Sequence, residues 1–334
     1  MIAVNPPKCD GLDYIQFLVA AQDTFTCTEA ARCQPGRSDT PAHDAFTRLL
    51  KRQPPDTEAL WQEAEPFVER NGGLLVVDDT TLDKPYARQM DLVTRHWSGK
   101  HHRVVQGINL TTLLWTDGES LIPTDCRVYH KEQDGLTKND HLRAMLKTAV
   151  ERDFHPRYVV FDGWYSGVEN LKAIRSYGWL WLTRLKGNRQ VNPDRTGNRA
   201  VETVFTLSDD CVVHLKDYGM VRVFRIVATD GETEYWATND LTMTESDRLE
   251  WARQAWGIES YHRGIKQCCG IERSQVRGER AIRNHLLFSL RAFLRLEVHW
   301  MRTRVSWYEA KQAIVRDAIR RYLAHPRLLL DSTA

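Results

Sequence analysis

Two aspartates in this chain of 334 residues stand in contexts that suit phosphate chemistry. Asp79 follows the apolar run 74–77, and Asp162 follows the apolar run 158–161. A carboxylate at the end of a buried strand is costly unless it meets a partner, a metal ion or water, and neighbouring strand ends commonly line a site. Each aspartate alone is more often a turn or capping residue, so the matching contexts of the two are what favour a site.

A third carboxylate, Glu259, lies in a stretch with helical character. On a helix, Glu259, Arg263 and Lys266 occupy positions i, i+4 and i+7 and share one face. One interpretation is a surface ion pair worth a few tenths of a kcal/mol. The other is a metal-ligating glutamate beside two cations that face phosphates. Carboxylate oxygens suit Mg²⁺, and two such ions about 3.5–4 Å apart can activate a nucleophile and stabilise the leaving oxygen in phosphodiester displacement.

The elements that must position these carboxylates form a mixed α/β sheet. Apolar runs and helical periodicity between residues 74 and 185 predict the order β-β-β-α-β-α-β, with helices packed against the sheet. The predicted strands lie at 74–77, 104–115, 120–129, 157–161 and 179–185, and the predicted helices at 138–152 and 167–177. This order places Asp79 and Asp162 on strands of one sheet.

Segments of different character flank this region. Short helices at 27–31 and after the start signal 38–41 predict either a helix-turn-helix or a plain helical packing module. Strand-like runs at 212–215, 221–227 and 234–238 predict a β-rich insertion. Further helices are predicted at 246–266 (capped by Ser246), 278–305 and 307–323. The predicted domains are a helical DNA-binding module at 1–72, a catalytic core at 73–187 and 245–275, the insertion at 188–244 and a helical region at 276–334.

The near-zero net charge of +2 conceals an uneven distribution. Residues 1–78 carry a net charge of −5, residues 79–258 of −1 and residues 259–334 of +8. The basic C-terminal segment is rich in arginine, which suits forked phosphate contacts, although a solvated helix face is the equal alternative. The arginines of this C-terminal segment recur mostly at helical intervals, at 273, 277, 280, 283, 291 and 295. In the acidic N-terminal segment, a local basic patch at 48–52 could also meet DNA.

Composition excludes several other classes of protein. With 42% hydrophobic and 27% charged residues the chain is expected to be globular, and the longest charge-free stretch near its middle, 104–116, is too short to span a membrane. The apolar run 14–21 follows acidic residues, so no signal peptide is expected. Seven cysteines without a disulfide-framework spacing predict reduced thiols in a cytoplasm.

The motifs together resemble bacterial insertion-sequence transposases of the DDE type, which have an RNase H-like core. The similarity is greatest to the subgroup with a β-strand insertion between the second aspartate and the glutamate. The matching segments are VVDDTTLDKP (76–85), RHWSGKHHRVVQGINLTTLLWTDG (95–118), YHKEQDGLTKNDHLRAML (129–146), YVVFDGWYSGVENLKAIRSYG (158–178), LTRLKGNR (182–189) and WGIESYHRGIKQCCGIE (256–272). The stretch 38–50 resembles the N-terminal region of that family more weakly.

The resemblance implies that Asp79, Asp162 and Glu259 are the catalytic metal ligands, with two Mg²⁺ or Mn²⁺ ions per site. Asp79 fits the Asp-Thr-Thr context of the family, and Asp78 is the alternative, since a shift of one residue turns a side chain to the other face of a strand. Relatives carry a Tyr-Arg-Glu-Lys signature around the glutamate. Lys266 occupies the lysine position of this signature. The tyrosine and arginine positions are occupied by Ala252 and Ala255. Arg253 or Arg263 could supply the missing cation.

The activity implied is cut-and-paste DNA transposition, in which one strand is cut and the freed 3′-hydroxyl attacks next. In relatives that hydroxyl forms a DNA hairpin, which requires a base held out of the stack. Trp236, beside Tyr235, is the candidate ring, although a half-buried sheet aromatic is an equal interpretation. The partners implied are the terminal inverted repeats and target DNA, with a homodimer in the synaptic complex and a nucleoid location in a prokaryotic cytoplasm. The predicted DNA-contacting residues are Arg184, Lys186, Tyr235, Trp236, Arg253, Arg263, Lys266, Arg273 and Arg277.

Two rival functions share this core. A structure-specific nuclease without strand transfer would explain the three carboxylates but not the insertion or the helix-turn-helix-like segment. A non-catalytic DNA-binding derivative would have no reason to retain all three carboxylates. The histidines at 96, 101 and 102 lack a zinc-site framework, and the adjacent cysteines at 268 and 269 are predicted to be packing residues.

Overall fold

The computed structural model describes residues 6–36, 40–98, 102–204, 209–227, 231–326 and 328. The chain divides into two compact units. The smaller unit comprises residues up to Asp56, Gln89–Asp91 and residues from Arg263 onward, and the larger comprises Thr57–Arg88 and Leu92–His262. The boundaries of the four domains given above remain a prediction.

The described helices are numbered in chain order. They are α1 (Gly11–Ala20), α2 (Cys27–Arg32), α3 (His43–Arg52), α4 (Thr57–Ala64), α5 (Lys131–Asp134), α6 (Lys138–Glu151), α7 (Val168–Ser176), α8 (Val201–Val204), α9 (Glu245–Ala255), α10 (Gly257–Cys268), α11 (Glu279–Thr303) and α12 (Trp307–Ala324). None of these described helices is long and apolar enough to cross a membrane.

One eleven-stranded mixed sheet runs through the described part of the larger unit. Its strands are β1 (Leu74–Asp83), β2 (Thr94–Ser98), β3 (Arg103–Thr116), β4 (Ile122–Tyr129), β5 (Tyr158–Phe161), β6 (Trp181–Leu185), β7 (Gln190–Asn192), β8 (Arg199–Ala200), β9 (Asp210–Leu215), β10 (Gly219–Val227) and β11 (Thr233–Thr238). The central order is β4-β3-β1-β5-β6, in which β1, β5 and β6 are parallel and β3 is antiparallel to β1 and β4. The predicted mixed α/β fold, a mixed sheet flanked by helices, is confirmed.

Strand β1 explains why the carboxylates meet near the middle of the sheet. Its first four residues are buried and lie between β3 and β5, as expected for an apolar run covered on both faces. The strand does not end at Val77, as the sequence predicts, but continues to Asp83 because β3 is long enough to pair with it throughout. Strand β5 ends at Phe161, opposite Val77. From Asp78 onward, β1 therefore has no β5 residue paired with it.

The β-rich insertion is an extension of the same sheet. Strand β11 pairs antiparallel with β6, and β10, β9, β7 and β8 follow outward. The three strand-like runs predicted within the insertion coincide with β9, β10 and β11. Strand β2, which pairs with β3, was not predicted.

The helix predicted over 246–266 is two helices. Helix α9 ends at Ala255 and α10 begins at Gly257. The cap is Thr244 rather than Ser246, because the Thr244 hydroxyl accepts from the Asp247 main-chain N–H while the Asp247 carboxylate accepts from that of Thr244. Helices also flank the sheet elsewhere, since α4 and α6 contact β4 and α9 contacts β1.

The smaller unit is helical in its described residues. The buried side chain of Asn284 on α11 donates to the main-chain oxygens of Leu50 and Gln53 at 2.8 Å each, which fixes the end of α3 against α11. Helices α2 and α3 correspond to the predicted pair of short helices. The start signal predicted at 38–41 falls partly outside the described residues, and α3 is preceded by Ala42 without a side-chain cap.

A buried lysine holds three chain segments of the smaller unit together. Lys311 on α12 is 5% exposed, and its Nζ donates to the main-chain oxygens of Val19 at 2.8 Å, Ala21 at 2.6 Å and Cys268 at 2.8 Å. These oxygens lie near the C-terminal ends of α1 and α10, where carbonyls lack helical partners. The ammonium group therefore satisfies carbonyls that the fold would otherwise bury without a donor.

Lys311→Met is expected to lower the free energy of unfolding by about 3 kcal/mol, because methionine removes the donor and leaves buried carbonyls unsatisfied. Urea unfolding of the full chain, followed by far-ultraviolet circular dichroism, measures this loss. Arg320→Met is the control on the same helix, since the Arg320 side chain is 74% exposed, and a change within about 0.5 kcal/mol is expected. Equal losses in the two variants would contradict the role assigned to Lys311.

Candidate active site

Asp79 is held by three side chains on one face of β1. Lys138 Nζ lies 2.7 Å from Asp79 Oδ2, and Asn109 Nδ2 donates to the same oxygen at 2.5 Å. Tyr165 Oη donates to Asp79 Oδ1 at 2.9 Å. Burial alone would raise the pKa of Asp79, but the charge of Lys138 and these hydrogen bonds outweigh it and lower the pKa. Both carboxylate oxygens of Asp79 are thus already engaged.

Asp78 lies on the opposite face of the strand, towards α10. It pairs in register with Thr112 of β3, whose hydroxyl is 3.5 Å from the hydroxyl of Tyr261 on α10. His262 on the same helix places its Nδ1 3.9 Å from Asp78 Oδ2. Because α10 also carries Glu259, the helix brings the predicted glutamate to the Asp78 face of the sheet.

The electrostatic surroundings of Asp78 are acidic. Burial raises the pKa of Asp78 well above its usual value, and the charges of Asp79, Asp162 and Glu259 raise it further. One interaction opposes this shift, since the Asp79 main-chain N–H donates to Asp78 Oδ1 at 2.8 Å. The charges of the other three carboxylates therefore all act on Asp78.

Asp162 follows the last residue of β5 and caps a short 3-10 turn, Gly163–Tyr165. Its Oδ1 accepts from the main-chain N–H of Trp164 at 2.9 Å. Val77 of β1 pairs with Phe161 of β5, so one further step of this parallel register would set Asp78 beside Asp162. Burial, followed by the charge of Asp79, raises the pKa of Asp162.

Glu259 occupies the first turn of α10 and is exposed. Its main-chain N–H donates to the Trp256 oxygen at 3.0 Å across the break between α9 and α10. Gly257 packs closely against Leu121, since a Cβ at position 257 would lie 2.7 Å from Leu121 Cδ2. The predicted helical spacing of Glu259, Arg263 and Lys266 agrees with the helix, which runs to Cys268.

Carboxylate oxygens are the donors that this site offers to a cation. Among the described residues, no three His, Cys, Asp or Glu side chains stand as a ready-made set of metal ligands. The chemistry of Asp78, Asp162 and Glu259 nevertheless suits Mg²⁺ or Mn²⁺, since all three offer hard oxygens and Asp78 and Asp162 lie in repulsive surroundings that a cation would relieve. Asp79 suits a cation less well, because Lys138 already neutralises it.

Two of the predicted DNA-contacting residues, Arg184 and Trp236, lie side by side. Trp236 pairs in register with Arg184, whose guanidinium lies 5.7 Å from the indole centroid, and Arg248 lies 5.9 Å from it. Glu234 accepts from Trp236 Nε1 at 2.9 Å and from Arg184 at 2.6 Å. Trp236 is half-buried and its polar group is engaged, whereas Lys186 is exposed.

The remaining predicted contact residues are dispersed. Tyr235 is buried, with 7% of its surface exposed. Ion pairs join Arg253 to Glu250 at 2.8 Å, Lys266 to Glu272 at 2.9 Å and Arg273 to Asp23 at 3.1 Å. Arg263 is exposed on α10, and Arg277, with Lys51, lines a cavity of about 320 Å³ in the smaller unit.

The remaining predictions are that the histidines at 96, 101 and 102 form no zinc site and that Cys268 and Cys269 are packing residues. His96 is buried, its Nε2 lies 2.7 Å from Thr94 Oγ1, and His101 falls outside the described residues. Cys268 and Cys269 are buried, and all seven cysteines are free thiols.

Four residues of the site were missed from the sequence. Lys138, Asn109 and Tyr165 surround Asp79, and Trp164 stands beside Asp162. All four lie within the motif segments, but only Asn109 left a signal of its own, as a polar residue within an apolar strand. Lys138 and Tyr165 are brought to Asp79 by the fold and could not be found from spacing, whereas Trp164 lies two residues after Asp162 and was overlooked.

Comparisons with known proteins identify the family of the chain and a similar fold. Residues 70–294, about two thirds of the chain, match the family described as transposase DDE domain. The chain belongs to this family. Among solved structures it is similar to the cryo-EM structure of a piggyBac transposase synaptic complex with hairpin DNA, with a TM-score of 0.52 and 10% sequence identity over 95% of this chain and 72% of that chain. At this identity the similarity concerns the fold. No curated protein gives a significant match.

Proposed function

We propose that this protein is an insertion-sequence transposase that cuts DNA at the ends of its element and joins them to target DNA. The observation that carries the proposal is the convergence of carboxylates from β1, β5 and α10 within the larger unit of a chain that belongs to the transposase DDE family. Water would cleave a phosphodiester to leave a 3′-hydroxyl and a 5′-phosphate. That hydroxyl would then displace another 3′-oxygen from phosphorus in the target strand.

In this proposal Asp162 and Glu259 are two of the metal ligands, and Asp78 takes the place predicted for Asp79. Three features support Asp78: it lies on the α10 face, it stands one register step from a pairing with Asp162, and its surroundings are acidic. Asp79 faces away from α10 and is committed to Lys138, Asn109 and Tyr165. We infer that Asp79 fixes Lys138 and Tyr165 rather than binding a cation.

A divalent cation held by these carboxylates would stabilise charge on the reacting phosphate and make the attacking oxygen more acidic. The protein itself supplies the geometry. The parallel pair β1–β5 sets the spacing of Asp78 and Asp162, and α10, which begins at Gly257 beside Leu121, carries Glu259. The hydrogen bond from Trp164 N–H keeps one Asp162 oxygen in place.

DNA is the substrate in this proposal, with terminal repeats and target DNA as partners and two protomers acting on paired ends. The structural relative is a synaptic complex with hairpin DNA, which supports a hairpin route for this chain as well. A bacterial origin, the Tyr-Arg-Glu-Lys subgroup and a nucleoid location belong to the same proposal.

The test is a cleavage and strand-transfer assay on a labelled element end with Mg²⁺. Asp162→Ala and Glu259→Ala are each expected to lower both steps by about 10³-fold or more, because each removes a metal ligand. Asp153→Asn is the control, since Asp153 is 80% exposed and sits in a left-handed conformation that asparagine also adopts. Undiminished cleavage in either alanine variant would overturn the site, and cleavage without strand transfer would favour the nuclease.

A further inference from the structure

We propose that Trp164 is a stacking platform for an unpaired base of the DNA end, next to the phosphate that is cut. The inference rests on the proposed function, because it assumes that DNA reaches the carboxylates. The sequence alone predicts no role for Trp164. Four observations support it.

The first observation is exposure. The Trp164 side chain has 59% of its surface exposed, although it is separated by only one residue from the candidate ligand Asp162. Large aromatic rings are normally at least half-buried because they gain free energy from leaving water. A ring kept in solvent beside a catalytic centre is available to stack on another ring.

The second observation is that the ring stands on a fixed turn. The 3-10 turn Gly163–Tyr165 is capped by Asp162, and Ser166 Oγ donates to the Gly163 oxygen at 2.8 Å. A Cβ at position 163 would lie 3.0 Å from the main-chain oxygen of Arg184, so glycine lets the turn pack closely on β6. Asn170 Nδ2 donates to the Tyr165 oxygen at 2.9 Å on the other side of the turn. Stacking on a ring whose backbone is already ordered costs little further entropy.

The third observation is the charge around the ring. Lys186 Nζ lies 5.5 Å from the indole centroid of Trp164, and Lys138 Nζ lies 5.9 Å from it. Lys138 is neutralised by Asp79, whereas Lys186 is exposed and can meet a phosphate. An aromatic ring combined with nearby cations is the arrangement by which proteins hold single-stranded nucleic acid, with base stacking on the ring and phosphates on the cations.

The fourth observation is the contrast with Trp236, the ring predicted from sequence. Trp236 is half-buried, its Nε1 donates to Glu234, and the two guanidinium groups near it belong to ion pairs with Glu234 and Glu245. Trp236 is therefore less exposed than Trp164, and both cations beside it are already engaged by carboxylates. Trp164 is the more accessible of the two rings.

The experiment measures binding without cleavage, by fluorescence anisotropy of labelled element-end DNA in EDTA. One probe is a duplex with a four-nucleotide single-stranded overhang, and the other is the blunt duplex of the same sequence. Trp164→Ala is expected to weaken binding of the overhang probe by about 10-fold and binding of the blunt probe by less than about 2-fold, because one base-stacking contact is lost. Trp164→Phe should retain most of the affinity for the overhang.

Two further variants sharpen the comparison. Tyr86→Ala is the control, since Tyr86 is another exposed aromatic residue at 93%, and it should change neither affinity. The proposal is overturned if Trp164→Ala weakens both probes equally, or if Trp236→Ala alone removes the preference for the overhang. Failure of the proposed function looks different: the overhang would bind through Trp164, but Mg²⁺ would give no cleavage.

Discussion

Asp78→Asn is expected to lower DNA cleavage by at least about 10³-fold, whereas Asp79→Asn is expected to lower it by only about 10-fold. The reason is that the two carboxylates face opposite sides of β1. Asp78 shares the α10 face with Glu259, so its loss removes a metal ligand. Asp79 is bound by Lys138, Asn109 and Tyr165, and an asparagine in its place can still accept a hydrogen bond from Tyr165.

The assay is cleavage of a labelled element end with Mg²⁺, with both variants first shown to be folded by circular dichroism. A double variant tests the role assigned to Asp79. If Asp79 acts by holding Lys138, then Lys138→Met combined with Asp79→Asn should cost less than the sum of the single changes, because the second change finds the ion pair already broken. An Asp79→Asn protein that is folded and as inactive as Asp78→Asn would return the metal ligand to Asp79.

The sequence predicted the fold well because its signals are local. The apolar strands, the amphipathic helices and the punctuation by glycine and proline each depend on neighbours in the chain, and the central sheet follows from their order. Errors arose where a distant partner decides the outcome. Strand β1, for example, extends past Val77 because β3 pairs with it.

The candidate site was predicted in part. Asp162 and Glu259 were predicted from their contexts and stay predictions, and the charges of both raise the pKa of Asp78 on β1. The decision between Asp78 and Asp79 depends on which face of β1 meets α10, and an Asp-Asp pair in one strand carries no local information about that. The networks of Lys138 and Trp164 likewise depend on residues brought together from α6, β6 and the turn after β5, far apart in sequence.

Removal of one charge from the carboxylate cluster is expected to stabilise the metal-free protein. Burial and three neighbouring carboxylates disfavour the charged form of Asp78. Asparagine has nearly the same shape without the charge, so Asp78→Asn should relieve like-charge repulsion and raise the metal-free melting temperature by at least about 2 °C. Thermal unfolding in EDTA measures this change, and Asp153→Asn, at an exposed carboxylate, should leave the melting temperature unchanged.

With Mn²⁺ added, the native protein should become more stable than the Asp78→Asn variant. An ion that binds only the folded protein stabilises it by about 2.7 kcal/mol at 100 times its dissociation constant, so the native protein should gain several degrees. The Asp78→Asn protein should gain much less, because it lacks a ligand for the ion, while Asp79→Asn should gain nearly as much as the native chain. Lower metal-free stability in Asp78→Asn, together with an undiminished response to Mn²⁺, would show that Asp78 is a structural carboxylate and not a ligand. A site that binds catalytic cations must keep carboxylates close together before the ion arrives, and the metal-free protein is less stable for that reason.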